Sequence, residues 1–230
     1  MKKIEQILKI YDYAIELVKQ GNYEDRIREL RERIEQQYYK SITVETFFRE
    51  YVWVVFTSGF REHIVRKYWK EITKMLYNFR PEKVREMTIE HLLVESPIKN
   101  RQKLKAILEV SKKLTSEWLA PIHNATSWKN IQDLFLSKEE FDKKKKKLPY
   151  IAEVTVFHLM RNIGVNCFKC DTHIEKLSQR LNINPEVIFD TIINHKKEKY
   201  IGIADYILWR GCEMLNGGPE ELVDKALEGI

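Results

Sequence analysis

Apolar residues recur along this chain at three- and four-residue intervals, and no stretch alternates in the way a half-buried strand requires. Ile4, Ile7, Leu8, Tyr11, Ile15 and Val18 mark a first helix that Gly21 ends. Ile27, Leu30, Ile34 and Tyr38 mark a second over about residues 23–39, a surface helix with one packed seam. From Thr46 to Phe56 the chain is apolar all round, which predicts a buried helix. Thr57, Ser58, Gly59 and Phe60 break it, and a single helix is expected from Arg61 to Leu76. Pro81 opens a short helix, Ser96 and Pro97 make a turn, and Asn100 to Leu114 reads as a long helix. Residues 116–136 read as irregular, with Pro121, Asn124 and Ser127 as breakers or caps. Ser137 and Glu140 fit a capping box, and Leu148-Pro149 ends the helix it starts. Further helices are expected over Glu153–Arg161, with Gly164 as its cap, Thr172–Leu181, Pro185–Asn194 and Ile201–Leu215, the last ended by Gly217 and Gly218. The fold class is all-α.

Composition narrows the function classes. At 230 residues, 43% hydrophobic and 32% charged, the chain has enough apolar material for a real core. The net charge is +6, and five of the lysines behind it stand together as Lys143 to Lys147. That clustering suggests a local phosphate-binding face, although lysines also suit the end of a solvated helix. The absence of a long apolar run argues against a transmembrane helix, and the charged N-terminus against a signal peptide. Three cysteines cannot all pair within the chain, and Cys167 and Cys170 with only Cys212 elsewhere make no four-cysteine metal set. The expected location is therefore cytoplasmic, inside the cell, with neither metal nor other cofactor.

One stretch carries chemistry. Leu148-Pro149-Tyr150-Ile151-Ala152-Glu153-Val154-Thr155 is followed by an apolar helix, by Gly164, and then by Asp171-Thr172-His173-Ile174. In order and spacing this resembles the helix-hairpin-helix (HhH-GPD) DNA glycosylase superfamily. The motif there is Leu-Pro-Gly-Ile-Gly-x-x-Thr, a helix ending near glycine, and a catalytic Asp in a Val-Asp-Thr-His type sequence. Upstream, Phe79 to Met87 and Ile98 to Ile107 resemble the helical barrel of the 3-methyladenine DNA glycosylases, so the resemblance spans roughly residues 45–181. Two positions depart from the pattern: Tyr150 and Ala152 replace the hairpin glycines, and Val154 stands where strand-cutting members carry a nucleophilic lysine.

The resemblance implies a two-lobed helical fold with a cleft between the lobes. Residues 45–165 would form a barrel ending in the hairpin unit at about 137–164, and residues 1–44 plus 166–230 a second lobe with the Asp171 loop at its edge. It assigns Asp171 as the essential carboxylate, since breaking an N-glycosidic bond develops positive charge on the sugar. The competing reading is a helix N-cap, and the two are compatible. Lys146, Lys147, Tyr150, Ala152, Val154, Thr155 and Arg101 are the candidates for contact with DNA. Phe60 and Arg61 occupy about the place of the wedge that fills the gap left by an extruded nucleotide. Trp53, Phe60, Tyr206 and Trp209 are the aromatic candidates for stacking on the flipped base. The expected activity is monofunctional excision of a damaged or mismatched base from double-stranded DNA, by a monomer without membrane association. Three alternatives remain open: a bifunctional glycosylase and abasic-site lyase, acting for example on 8-oxoguanine with Lys147 or Lys169 as a displaced amine, a helical DNA-binding protein without catalysis, and a helical protein that binds another protein and uses Asp171 only as a cap.

Overall fold

The computed structural model describes residues 2–136 and 148–228. Every regular element among them is helical. In chain order these are α1 (Lys3–Gln20), α2 (Glu24–Glu35), a 3-10 turn (Tyr38–Lys40), α3 (Val44–Thr57), α4 (Glu62–Lys67), α5 (Trp69–Met75), α6 (Pro81–Val84) and α7 (Ile89–Glu95). They continue as α8 (Arg101–Lys113), α9 (Ser116–His123), α10 (Trp128–Leu136), α11 (Thr155–Asn162), α12 (Thr172–Leu181), α13 (Pro185–Lys196), α14 (Ile201–Glu213) and α15 (Gly218–Leu227). No helix among the described residues is long and apolar enough to cross a membrane.

Contacts divide the chain into two compact units, Met1–Gln36 with Gly164–Ile230, and Gln37–Ile163. In the first, α1 packs on α13, α14 and α15. Its core joins Ile7, Ile10, Tyr11 and Ala14 of α1 to Ile174 and Leu177 of α12, Phe189 of α13 and Ile203, Ala204 and Ile207 of α14. The α1–α14 crossing is close because Gly211 has no side chain: a Cβ there would lie 2.9 Å from that of Ala14. In the second unit α3 is the central element. Phe47, Phe48, Tyr51, Val52, Val54, Val55 and Phe56 are all fully buried, the all-round burial that its composition predicts. Helices α8 and α11 pack on it, and α6 and α7 pack on α8.

Three expectations about elements are corrected. Residues 116–136 are not irregular but form α9 and α10. Thr115 caps α9 through its side chain, which accepts from the Trp118 amide, and Pro121 lies inside the helix. The proline removes one hydrogen bond, while Trp118, Leu119 and Ile122 are all buried, so packing outweighs local propensity. Ser127 and Asn130 cap the start of α10 reciprocally, each side chain accepting from the other's amide at 3.2 Å. The single helix expected over 61–76 is two, interrupted at Tyr68. The helix from Ile201 does end before Gly217 and Gly218, but it is not the last, because α15 follows with Pro219 in its first turn and Leu222 and Val223 buried. A further local feature is rare: Tyr77, Asn78 and Phe79 are three consecutive non-glycine residues with φ near +51, +57 and +61°. Phe79 is held there by a stack on Trp69 with centroids 5.2 Å apart.

Candidate functional site

Asp171 sits immediately before α12 in extended backbone and caps that helix. One oxygen, Oδ1, accepts from the amides of His173 at 3.0 Å and Ile174 at 3.2 Å. The other, Oδ2, lies 2.6 Å from Lys169 Nζ. The capping reading is thus correct as geometry, and it leaves the second oxygen for other work. The imidazole of His173 stands between two acids, with Nδ1 3.8 Å from Asp171 Oδ2 and Nε2 3.4 Å from Glu213 Oε1 on α14. Asp171 is 6% exposed. Burial works against its charged form, but the interactions with His173 and the Lys169 ammonium outweigh that cost and hold the carboxyl well below the usual range. Interaction with Asp171 raises His173 above its ordinary value, against the effect of burial, with Glu213 adding to the rise.

The loop that delivers Asp171 is tied down on its N-terminal side. The Gly202 amide donates to Asn166 Oδ1 at 3.1 Å, and a Cβ at Gly202 would fall 3.0 Å from the Cys167 carbonyl oxygen. Glycine at the start of α14 therefore lets that helix lie directly against the strand of chain leading to the carboxylate. On the same helix, Trp209 is half-buried, with Lys169 Nζ 5.5 Å from its ring centroid and the Arg210 guanidinium at 4.4 Å. Tyr206 stands 6.0 Å from Trp209, tilted, and is nearly fully buried. So two of the four aromatic candidates, Tyr206 and Trp209, belong to the unit that holds Asp171. Trp209 is joined to the carboxylate through Lys169.

The other two lie in the second unit. Trp53 packs edge-on against Trp69 at 4.9 Å and carries the Arg66 guanidinium over its ring at 5.2 Å, so it serves as part of an aromatic cluster. Phe60 follows Gly59, whose φ is +80°, in the loop after α3, and Arg61 beside it is exposed. Within this unit the turn between Leu148 and Thr155 holds a left-handed residue without a glycine. Tyr150 has φ +64°, the left-handed geometry for which glycine is the usual residue. Several contacts hold it there. Thr155 Oγ1 donates to the Tyr150 carbonyl at 3.1 Å and accepts from the Ala152 amide at 2.8 Å. The Tyr51 hydroxyl of α3 donates to the Pro149 carbonyl at 2.8 Å, and the Tyr150 hydroxyl donates to Gln102 Oε1 at 3.2 Å. The Thr155 hydroxyl, expected on a phosphate, is spent inside the hairpin as a brace. Val154 is exposed at the start of α11, and Ala152 is exposed beside it. Gly164 takes φ +87° just past α11, as its capping role predicts. Arg101 is exposed and paired with Glu90 at 3.1 Å. Lys146 and Lys147, with the rest of the lysine run and the Ser137–Glu140 capping box, lie outside the described residues.

Two lysines carry more weight than their chain neighbours suggest. Lys169, expected only as a possible displaced amine, is the direct partner of Asp171. Lys103 is 4% exposed and sits beside the loop after α3. Its signal is present in the sequence: Lys103, Ile107 and Val110 fall on one helical face, so the lysine stands in an apolar stripe. Among the described residues no group of three or more histidine, cysteine or acidic side chains could hold a metal ion. Comparison with family models, with curated proteins and with solved structures finds no match.

Proposed function

We propose that the chain is a DNA N-glycosylase that hydrolyses the N-glycosidic bond of a damaged base extruded from a duplex, with Asp171 as the essential carboxylate. The observation that carries this reading is the placement of Asp171: nearly buried, with Oδ1 fixed by two amides and Oδ2 held against the Lys169 ammonium, which favours the charged carboxylate. When the C1′–N bond breaks, its electron pair leaves with the base and the sugar gains oxocarbenium character. A preoriented anion lowers the energy of that cation, and water then supplies the oxygen at C1′ while its proton is released. The left-handed Tyr150 supports the companion assignment of the hairpin as a phosphate-binding turn, since that backbone geometry is what the motif's glycine otherwise provides. Trp209, half-buried on α14 and joined to Asp171 through Lys169, supports the assignment of an aromatic face for the base, with Tyr206 packed behind it.

The test is excision from duplexes carrying 8-oxoguanine, alkylated purines, hypoxanthine, uracil or a thymine–guanine mismatch, developed with and without alkali. Alkali-dependent cleavage at one lesion, absent in Asp171→Asn, is the expected result. Salt-sensitive duplex binding with no excision of any lesion would leave a DNA-binding protein in which Asp171 is only a cap.

A second reading rests on one specific contact. Val154 offers no amine, but Lys169 Nζ is 2.6 Å from Asp171 and could form an imine with the ring-opened sugar, giving a bifunctional enzyme. Borohydride reduction in the presence of lesion DNA separates the two. The hydrolytic reading expects no covalent adduct, and a stoichiometric adduct lost in Lys169→Met would establish the lyase.

A further inference from the structure

Lys103 is in the wrong place for its own helix. It occupies the first turn of α8, whose amides carry partial positive charge, and no acidic residue stands in that turn to offset it. Its ammonium instead reaches the end of α3, where it donates to the carbonyl oxygens of Val55 and Ser58. Those carbonyls belong to the last turn of α3 and to the residue just beyond it, which lack onward helical partners. The same ammonium lies 5.4 Å from the Phe60 ring centroid and 5.1 Å from that of Tyr150. One buried cation thus touches the loop after α3 through its backbone and its aromatic side chain, and touches the hairpin through Tyr150. The neighbouring residue strengthens the hairpin link, because Gln102 accepts from the Tyr150 hydroxyl. Phe60 and Tyr150 are 90 positions apart in sequence. Tyrosine at a left-handed position is strained, and a glycine there would relieve the backbone but lose both contacts.

We infer that Lys103 is a positioning residue that pins the Ser58–Arg61 loop to the hairpin turn, so that the two meet a duplex as one preorganised unit. The pin itself follows from contacts within one compact unit. Its use on DNA rests on the glycosylase reading, in which Phe60 and Arg61 form the wedge. The tyrosine in place of the hairpin glycine then has a purpose: its ring supplies the second face that the ammonium needs.

The test separates these two levels. Amide hydrogen exchange on the intact chain, without DNA, is followed in segments 56–61 and 148–155 for wild type, Lys103→Met and Tyr150→Gly, each checked for a cooperative melt. In Lys103→Met both segments exchange at least about tenfold faster while α14 does not change. In Tyr150→Gly the distant segment 56–61 also loosens, even though the substitution removes strain. If Lys103→Met fails to fold, the effect of Tyr150→Gly on 56–61 decides the matter. Unchanged exchange in 56–61 in every folded variant overturns the pin. With lesion DNA, Lys103→Met lowers the single-turnover excision rate about tenfold with duplex affinity within about twofold, and adding it to Phe60→Ala costs nothing more. Fully additive losses overturn the coupling. Absence of excision by wild type, together with the expected exchange results, removes the glycosylase reading and leaves the pin standing.

Discussion

Asp171 in one compact unit and Lys103 in the other are both buried charged side chains, and the two are handled in opposite ways. Asp171 is given a cation, two amides and an imidazole, and these overcome burial so that the carboxylate stays charged far into acid. Lys103 is given two carbonyl oxygens and two aromatic rings but no acid, and burial lowers it to about 8. Burial is common to both, and the presence of an opposite full charge decides the outcome. In the proposed reaction Asp171 meets developing positive charge, and for that it must be charged at every working pH. A group that only holds backbone in place can tolerate a neutral form, because an amine still donates two hydrogen bonds.

The largest effect expected is on chemistry at Asp171. Asp171→Asn keeps an oxygen for the amides of His173 and Ile174 but gives up the ion pair with Lys169, so it melts lower by about 2 kcal/mol, and excision falls by on the order of 10² or more. Asp171→Ala loses the cap as well and melts lower, by about 1 kcal/mol of stability relative to the asparagine variant. Equal activity in wild type and Asp171→Asn would place the carboxylate among plain helix caps.

Removing the cation attacks the comparison directly. Lys169→Met leaves Asp171 buried beside an uncharged chain, and the expected loss is about 2 kcal/mol at neutral pH, measured by chemical denaturation. The Asp171 carboxyl should also titrate closer to the ordinary range, visible as a rise in the acid limb of any activity profile. If Lys169→Met leaves both unchanged, the ion pair does not hold the carboxylate.

The two sites then predict opposite pH slopes. His173 is raised in the folded chain, so the stability it contributes is complete below its ordinary value of 6.5 and is lost as pH rises through the folded value. Lys103 is lowered from 10.5 to about 8, so between those values the unfolded chain holds a proton that the folded chain has released, and stability rises with pH across that window. Denaturation of wild type, His173→Gln and Lys103→Met at closely spaced pH should show the first slope vanish in the histidine variant and the second in the lysine variant. The smallest effect lies away from both sites. Asn78→Gly, in the run of three left-handed residues, should stabilise by about 0.5 kcal/mol, the relief of strain being partly offset by a more flexible unfolded chain. A loss of stability there would show that the Asn78 side chain supports the turn.

Local pattern made several elements legible. The helical class, the ends of α1 at Gly21 and of α11 at Gly164, the buried α3 and the cap at Asp171 all follow from residues within one or two turns of each other. Misreadings came where local and distant forces disagreed. Pro121 argues locally against a helix that the buried face of α9 sustains, and Gly217 and Gly218 read as an ending although the chain after them carries its own apolar face. Tyr150 is the sharpest case. Its side chain argues against a positive φ, yet Thr155, Gln102 and Lys103 together hold it there.

By itself, then, the sequence determined the helical class, the ends of α1 and α11 and which carboxylate begins α12, because backbone hydrogen bonding and capping depend on neighbours a few residues away. Tertiary structure alone decided how the buried charges are satisfied. His173 with Glu213, and Lys103 with two carbonyls and two rings, are settled by desolvation and by the approach of residues far apart in the chain, and that is a property of packing. Lys169 stands only two residues before Asp171, and what packing decides there is the burial of the pair.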